Sequence, residues 1–416
     1  MNNLKKEFKT RWWRAKSFLA RYYYGDPSKK LKIIGVTGTN GKTTTATLLH
    51  QIATGLGYKA GLIGTAGNII INEKRESTHT TPDSISLTKL FAEMLDAGCE
   101  YVFMEVSSHA LDQGRVKGVH FVGGIFTNLT HDHLDYHKSL ENYFLAKKKF
   151  FKMLSPEAWA LSNADDGHGE MMLENIKAKP YLYGFSDAGR LDTTLDFKGE
   201  IIQLDFDGLK LKFNDENVNS KLLGKFNACN LLSVWSTSKL LGFDMVKVNK
   251  IIETITPPAG RFEFFKAGNG AVVIVDYAHT PDALEKVLST AKEFNTHGGN
   301  IISVFGCGGD RDPMKRRIMG KLGATLSDIA IFTSDNPRSE NPDKIIAEMK
   351  TDLSMHEVKK VQTIPNRREA IEESAKLSKK GDIILCAGKG HETYQEIKGV
   401  KHHFNDMEEF RKAFQK

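Results

Sequence analysis

Ile33-Ile34-Gly35-Val36-Thr37-Gly38-Thr39-Asn40-Gly41-Lys42-Thr43-Thr44-Thr45 decides how the rest of the chain reads. A short apolar run over 31–36, broken by Lys32, leads into a glycine-rich turn, and residues 44–56 carry apolar side chains at helical spacing. Strand, loop and helix follow in that order. Successive backbone N–H groups in such a turn, backed by a helix N-terminus, form a concave site for phosphate oxygens. Lys42 is placed to neutralise the outer phosphates, and the Thr43 hydroxyl to meet a magnesium ion. The general G-x-x-x-x-G-K-[ST] spacing asks for glycine at 36, where this chain has valine, with glycines instead at 35 and 38. The loop is a variant of that motif.

The 416 residues, 40% hydrophobic and 26% charged, are enough for more than one core, and two domains are expected. No apolar run approaches the roughly 18 residues that span a bilayer, and the start has no signal-peptide pattern, so the chain reads as soluble and cytoplasmic. Cys99, Cys229, Cys307 and Cys386 are too scattered for a zinc or redox spacing and read as reduced thiols. A net charge of +7 suits anionic small substrates. The lysines are dispersed rather than gathered into a stripe, which argues against nucleic acid as a partner. Near the start, Arg11-Trp12-Trp13-Arg14 and Arg21-Tyr22-Tyr23-Tyr24 predict a short helix over 11–24. It either docks on the next domain or touches a membrane surface weakly.

Beyond the loop, the pattern predicts a strand end at 62–65, a polar turn at 78–82, a helix over 84–97 and a buried strand over 101–106. That alternation argues a parallel sheet, whose ligands sit beyond the carboxyl ends of its strands. Glu105-Val106-Ser107-Ser108-His109 lies at such an end. A strand over 123–127 then runs into Asn128-Leu129-Thr130-His131-Asp132-His133-Leu134-Asp135-Tyr136-His137, whose density of histidine and aspartate is either metal-binding or ordinary loop and cap chemistry. In the helix over 140–154, the run Lys147-Lys148-Lys149 reads as a solvated face. Residues 159–223 read as strands and turns, including an alternating stretch at 199–212. Asn227 and Asn230 share a face of the helix that follows, and either read a base edge or cap the helix. Pro257-Pro258-Ala259-Gly260-Arg261 reads as a linker. After it, strands over 271–275, 300–305, 329–333 and 382–386 alternate with helices over 281–294, 313–326, 344–353 and 366–377. This is a second doubly wound α/β domain.

Gly38-Thr39-Asn40-Gly41-Lys42-Thr43, Glu105-Val106-Ser107-Ser108-His109, Thr127-Asn128-Leu129 with Asp132 to His137, and Asp276-Tyr277-Ala278-His279-Thr280-Pro281 together closely resemble the Mur ligases. Gly306-Cys307-Gly308-Gly309-Asp310-Arg311-Asp312, Asp335-Asn336-Pro337-Arg338 and Gly388-Lys389-Gly390-His391-Glu392 narrow the resemblance to the branch that adds the third residue of the peptidoglycan stem peptide. The resemblance runs from about residue 31 to the C-terminus. It implies an α/β chain with a P-loop-type central ATPase domain over 31–258, its sheet mostly parallel, and a C-terminal Rossmann-like doubly wound domain over 259–416. The segment 1–30 stands where the family has a separate domain for the uridine diphosphate handle, so that handle is expected to be held differently.

The implied reaction is ATP-dependent amide formation through an acyl phosphate, joining meso-diaminopimelate to UDP-N-acetylmuramoyl-L-alanyl-D-glutamate in peptidoglycan precursor synthesis, by a monomer. L-Lysine, or a lipid-linked or shortened muramoyl-peptide acceptor, is the alternative, and a non-catalytic ATP-binding switch a remote one. By resemblance, ATP is held by Gly38, Thr39, Asn40, Gly41, Lys42, Thr43, Thr44, Asn227, Asn230, Arg261 and Asp276. Two magnesium ions are implied, on Thr43, Glu105, His133 and Lys147, the last as a carbamate. Lys42, Glu105, His133 and Lys147 would form the catalytic set. Thr80, Thr81, Ser107 and Arg115 match contacts to the muramoyl peptide. Arg311, Asp335, Asn336, Arg338, Gly388 and Glu392 match the amino-acid pocket, where Arg338 can fork onto a distal carboxylate. The bland alternative for Arg338 is a surface arginine beside Glu340.

Overall fold

The structure, a computed structural model, describes residues 21–75, 77, 79–185, 194–295 and 298–415, with Asp135 described by its backbone alone. Most of the expected helix over 11–24 lies outside the described residues. The chain divides between Thr256 and Pro257 into two compact units, so the proline-rich stretch read as a linker begins the second unit.

In the first unit, β1 (Lys32–Thr37), β2 (Ala60–Gly64), β3 (Gly67–Ile70), β4 (Glu73–Arg75), β5 (Tyr101–Glu105), β6 (Phe121–Phe126), β7 (Trp159–Asn163), β8 (Lys179–Phe185), β9 (Phe197–Asp205), β10 (Gly208–Phe213) and β11 (Glu216–Ser220) form one sheet. Its order is β11-β10-β9-β8-β7-β6-β1-β5-β2-β3-β4. The pairings from β9 across to β2 are parallel, and the ends are finished by antiparallel hairpins. The alternating stretch 199–212 is most of β9 and β10 with the tight turn that joins them.

Period-two alternation divides the central strands between two cores. Ile34 and Val36 of β1 join Tyr101 and Phe103 of β5 on one face, while Ile33 joins Val102 and Met104 on the other. Both faces are covered, which is why these strands read as unbroken apolar runs. Each such side chain removed from water contributes about 1.5–3 kcal/mol. The sheet is thus a rigid floor, and the loops after β1, β5 and β6 leave it side by side at the carboxyl ends.

The second unit repeats the plan with β12 (Glu263–Lys266), β13 (Val272–Asp276), β14 (Ile301–Phe305), β15 (Ile329–Phe332), β16 (Val361–Thr363) and β17 (Ile383–Ala387), in the order β12-β13-β17-β14-β15-β16. All pairings but that of β12 are parallel. A separate hairpin of β18 (Tyr394–Ile397) and β19 (Val400–His403) and a last helix, Asp406–Ala413, complete the unit. No helix among the described residues is long and apolar enough to cross a membrane.

Candidate active site

The phosphate loop is held open by glycines and by its neighbours. Gly41 sits at φ 85°, and a Cβ there would lie 2.5 Å from Asn230 Oδ1. A Cβ on Gly38 would run into Thr127 Oγ1. Asn128 secures the loop from β6, accepting the Asn40 N–H on Oδ1 at 2.8 Å, and Thr127 Oγ1 donates to Asn40 O at 2.6 Å. Lys42 Nζ curls over the loop and donates to Gly38 O at 2.9 Å and Thr39 O at 2.7 Å. The helix Lys42–Gly55 begins at this point, so its N-terminus backs the cradle.

Glu105, buried at the end of β5, is the hub of the neighbouring loop. Thr43 Oγ1 lies 3.0 Å from each of its carboxylate oxygens, and Thr65 donates its backbone N–H at 2.7 Å. Thr65 Oγ1 reaches Thr80 Oγ1 at 3.0 Å. Thr81 Oγ1 donates to Glu105 O at 2.8 Å and accepts the Ser107 N–H at 3.0 Å, while Arg115 Nη1 donates to Thr81 O at 2.8 Å. Thr80, Thr81, Ser107 and Arg115, scattered in sequence, are thus brought together against Glu105. A hydroxyl and a carboxylate as the paired donors are hard oxygen ligands of the kind magnesium takes. The glycine cradle beside them suits phosphate oxygens.

On the other side of the loop, Lys147 is 1% exposed and donates to Gly38 O at 2.7 Å, its ammonium 4.3 Å from the centre of the Tyr143 ring. Burial, with Lys42 nearby, drives its pKa well below the ordinary lysine value. Lys148 does not belong to a solvated face: it is buried and donates to Met171 O at 2.5 Å, leaving only Lys149 exposed, where it pairs with Asp112 at 2.8 Å.

Of the histidine-rich segment, His133 stays half-exposed at φ 54°, with its ring 4.9 Å from that of His109. Desolvation lowers its pKa to about 4. His137 is buried, bonds Ser108 Oγ through Nε2 at 3.0 Å, and is likewise pushed down to about 4 by desolvation. Among the described residues no group of three or more His, Cys, Asp or Glu is arranged to hold a metal by itself. His133 and His137 differ in exposure and in partners. Asn227 and Asn230 do not cap their helix, whose N-cap is Gly224. Asn227 Nδ2 donates to Leu223 O at 2.8 Å, and Asn230 faces Gly41.

In the second unit the loops after β13, β14, β15 and β17 gather in the same way. Asp276 is buried and accepts the N–H groups of Phe262 and Ala278, each at 2.7 Å, and desolvation raises its pKa. Arg261 lies over the Tyr277 ring at 4.5 Å. Asn336 Nδ2 donates to Glu392 Oε2 at 2.8 Å. Gly388, at φ 116°, has its backbone N–H on Asp276 O at 3.1 Å. Arg338 Nη1 donates to Gly309 O at 2.7 Å, while Arg311 is exposed beside Gly308.

Lys389, the strand β18 and Arg316 were given no role from the sequence. Lys389, fully buried, sends Nζ to Glu392 Oε2 at 2.9 Å and Asn336 Oδ1 at 3.1 Å, and stands 3.8 Å from Asp335. β18 binds the Asp335–Arg338 loop, with Glu396 N–H on Asn336 Oδ1 at 2.9 Å and Arg338 N–H on Glu396 O at 3.1 Å. Glu340 pairs with buried Arg316 at 2.7 Å, and the carboxylate beside Arg338 is that of Glu396, at 3.6 Å. The Gly388–Glu392 motif flagged Lys389, but a motif fixes no side-chain direction.

Comparison with known proteins places this geometry. The Mur ligase middle domain matches residues 36–237, and the Mur ligase glutamate ligase domain matches residues 260–390. A UDP-N-acetylmuramoyl-L-alanyl-D-glutamate--2,6-diaminopimelate ligase of Parabacteroides distasonis is 50% identical over 400 residues, covering 96% of this chain and 81% of that protein. The ligase of the same name from Bacteroides thetaiotaomicron is 49% identical over 396 residues, covering 95% and 81%. A solved structure of a ligase of that name shares 35% identity at a TM-score of 0.65, covering 92% of this chain and 78% of that one. A folylpolyglutamate synthase from Thermotoga maritima, 15% identical at a TM-score of 0.69, covers 93% and 94% and shows the shared fold alone. With its phosphate loop, its buried lysine and identity of one residue in two across almost its whole length, the chain belongs to the Mur ligase family.

Proposed function

We propose that this chain is the ATP-dependent ligase that joins meso-diaminopimelate to UDP-N-acetylmuramoyl-L-alanyl-D-glutamate, acting in the cytoplasm in peptidoglycan precursor synthesis. The phosphate loop and the acceptor contacts lie in the first unit, while the second supplies Arg261 and Asp276 to the nucleotide and binds the incoming amino acid. One observation carries the reading: Thr43 and Glu105, 3.0 Å apart at the mouth of the phosphate loop, face a cradle whose other wall is the buried amine of Lys147. That arrangement is built for moving a phosphoryl group to an anion, a step governed by cations already in place.

Magnesium, held by Thr43 and Glu105 with His133 serving a second ion, would neutralise charge on the transferring phosphoryl group. This chain's own residues do the rest. The loop N–H groups and Lys42 hold the β- and γ-phosphates, and Lys42 leaves its internal carbonyl partners to do so. Thr80, Thr81, Ser107 and Arg115 orient the acceptor. Its carboxylate oxygen attacks the γ-phosphorus as the bond to ADP breaks. The amine then attacks the acyl carbon, phosphate leaves, and one proton is released. The depressed pKa of Lys147 favours the neutral amine, the form that adds carbon dioxide to give a carbamate and a proton. That converts a buried cation beside the loop into an anion able to orient magnesium. Arg338 and Arg311 would receive the distal carboxylate of diaminopimelate, which lysine lacks.

The test is isotopic. With ¹⁸O in the acceptor's terminal carboxylate, one labelled oxygen is expected in the released phosphate. Unlabelled phosphate alongside labelled product would contradict the acyl phosphate route.

A further inference from the structure

Two loops of the second unit carry the amino-acid contacts, residues 306–312 with Arg311 and residues 335–340 with Arg338. Each turns on a left-handed residue, Asp310 at φ 53° and Arg338 at φ 51°. An aspartate adopts that conformation readily, an arginine seldom. Arg316, 1% exposed on the helix Met314–Leu326, reaches both loops. It forks onto Glu340 at 2.7 and 2.9 Å, reaches Glu348 at 2.8 Å, and donates to Gly308 O at 3.3 Å. Glu340 in turn accepts the Asp310 N–H at 2.6 Å.

The loops are also laced directly to one another. Gly309 N–H donates to Asn336 O at 2.9 Å, Arg338 Nη1 to Gly309 O at 2.7 Å, and Ser339 Oγ to Asp310 Oδ1 at 2.6 Å. A planar guanidinium can serve Glu340, Glu348 and a carbonyl at once, which an ammonium cannot do in the same plane. We infer that Arg316 is a positioning residue for the incoming amino acid: by clamping the two loops it sets the spacing of Arg311 and Arg338, and so the preference for a substrate with a distal carboxylate. This rests on the diaminopimelate reading above.

Arg316→Lys keeps the charge and loses the fork. The KM for meso-diaminopimelate is expected to rise at least tenfold, with the KM for ATP within twofold. The ratio of kcat/KM between meso-diaminopimelate and L-lysine is expected to fall at least tenfold, because only one of the two offers the distal carboxylate. Arg317→Lys, on the same helix with only a surface contact to Asp352 at 3.8 Å, should leave both values unchanged. Equal losses on all substrates, or an unchanged ratio, would overturn the inference. Should the Arg316 variant fail to fold, Glu340→Gln decides the matter by the same readouts. Hydrogen exchange reads the clamp without any substrate. Amides of 306–312 and 335–340 should exchange faster in the variant, and unchanged protection there overturns the clamp. A wild-type protein that ignores meso-diaminopimelate would instead refute the activity, leaving the exchange result to stand alone.

Discussion

Lys147 shows what burial does to a single side chain. A lysine in a row of three gives no sign in sequence that one ammonium is sealed under the phosphate loop, one is tied to a carbonyl and one is in water. Only the family resemblance singled out Lys147; in the structure its amine is buried against Gly38 O, and burial holds its pKa below the ordinary lysine value. Lys147→Met removes the amine while keeping the packing stem. It is expected to cut the rate of ADP formation by about a hundredfold or more, the scale of a lost group at a developing charge. It should also abolish the carbamate signal seen by ¹³C NMR with labelled bicarbonate. A variant with full activity would remove Lys147 from the mechanism. His137 bears on stability instead. Its pKa falls from 6.5 to about 4 on folding, so the unfolded chain binds the extra proton between those values. Stability is therefore fully present above about pH 6.5 and is lost as pH falls toward 4. Melting temperatures across that range should drop less steeply for His137→Gln than for the parent, and parallel curves would assign the acid sensitivity elsewhere.

Elements were far more legible than the contacts between them. The strand, turn and helix around Gly38 to Thr45, the helix Ser84–Asp96 and the central strands β1, β2, β5, β6, β13, β14, β15 and β17 follow from apolar period, a local signal. β3, β4, β12, β16 and the hairpin β18–β19 were not read, because short strands at a sheet's edge take their conformation from a partner. The same limit hid Arg316, Lys389 and Glu396, since a sequence says which charges exist but not where they point. At the phosphate loop the local argument is strong enough to predict from. Gly41→Ala forces alanine into φ 85°, a strain of about 1–2 kcal/mol, and drives its methyl against Asn230 Oδ1. The KM for ATP should rise at least tenfold while the melting temperature falls only a few degrees. Unchanged ATP use would mean that the cradle is looser than its contacts indicate.

At the scale of the whole molecule, two sheets with separate cores imply two cooperative units. The second is pinned by a fully buried ion pair, Arg367 to Asp406 at 2.7 Å, which ties the helix Arg367–Leu377 to the last helix, Asp406–Ala413. Arg367→Met leaves a carboxylate buried without its partner and should cost the second unit about 3–5 kcal/mol. Hydrogen exchange on the full chain should then show lost protection over 257–416 and unchanged protection in β1 and β5. Loss in both units together would make the chain a single cooperative body. In the function proposed above, the phosphate loop of the first unit and the amino-acid loops of the second serve one reaction. ADP formation, measured with UDP-N-acetylmuramoyl-L-alanyl-D-glutamate and meso-diaminopimelate supplied separately and together, tests this most directly. Sustained release is predicted only when both are present, with L-lysine a poor replacement for meso-diaminopimelate. ADP release indifferent to the amino acid would contradict it.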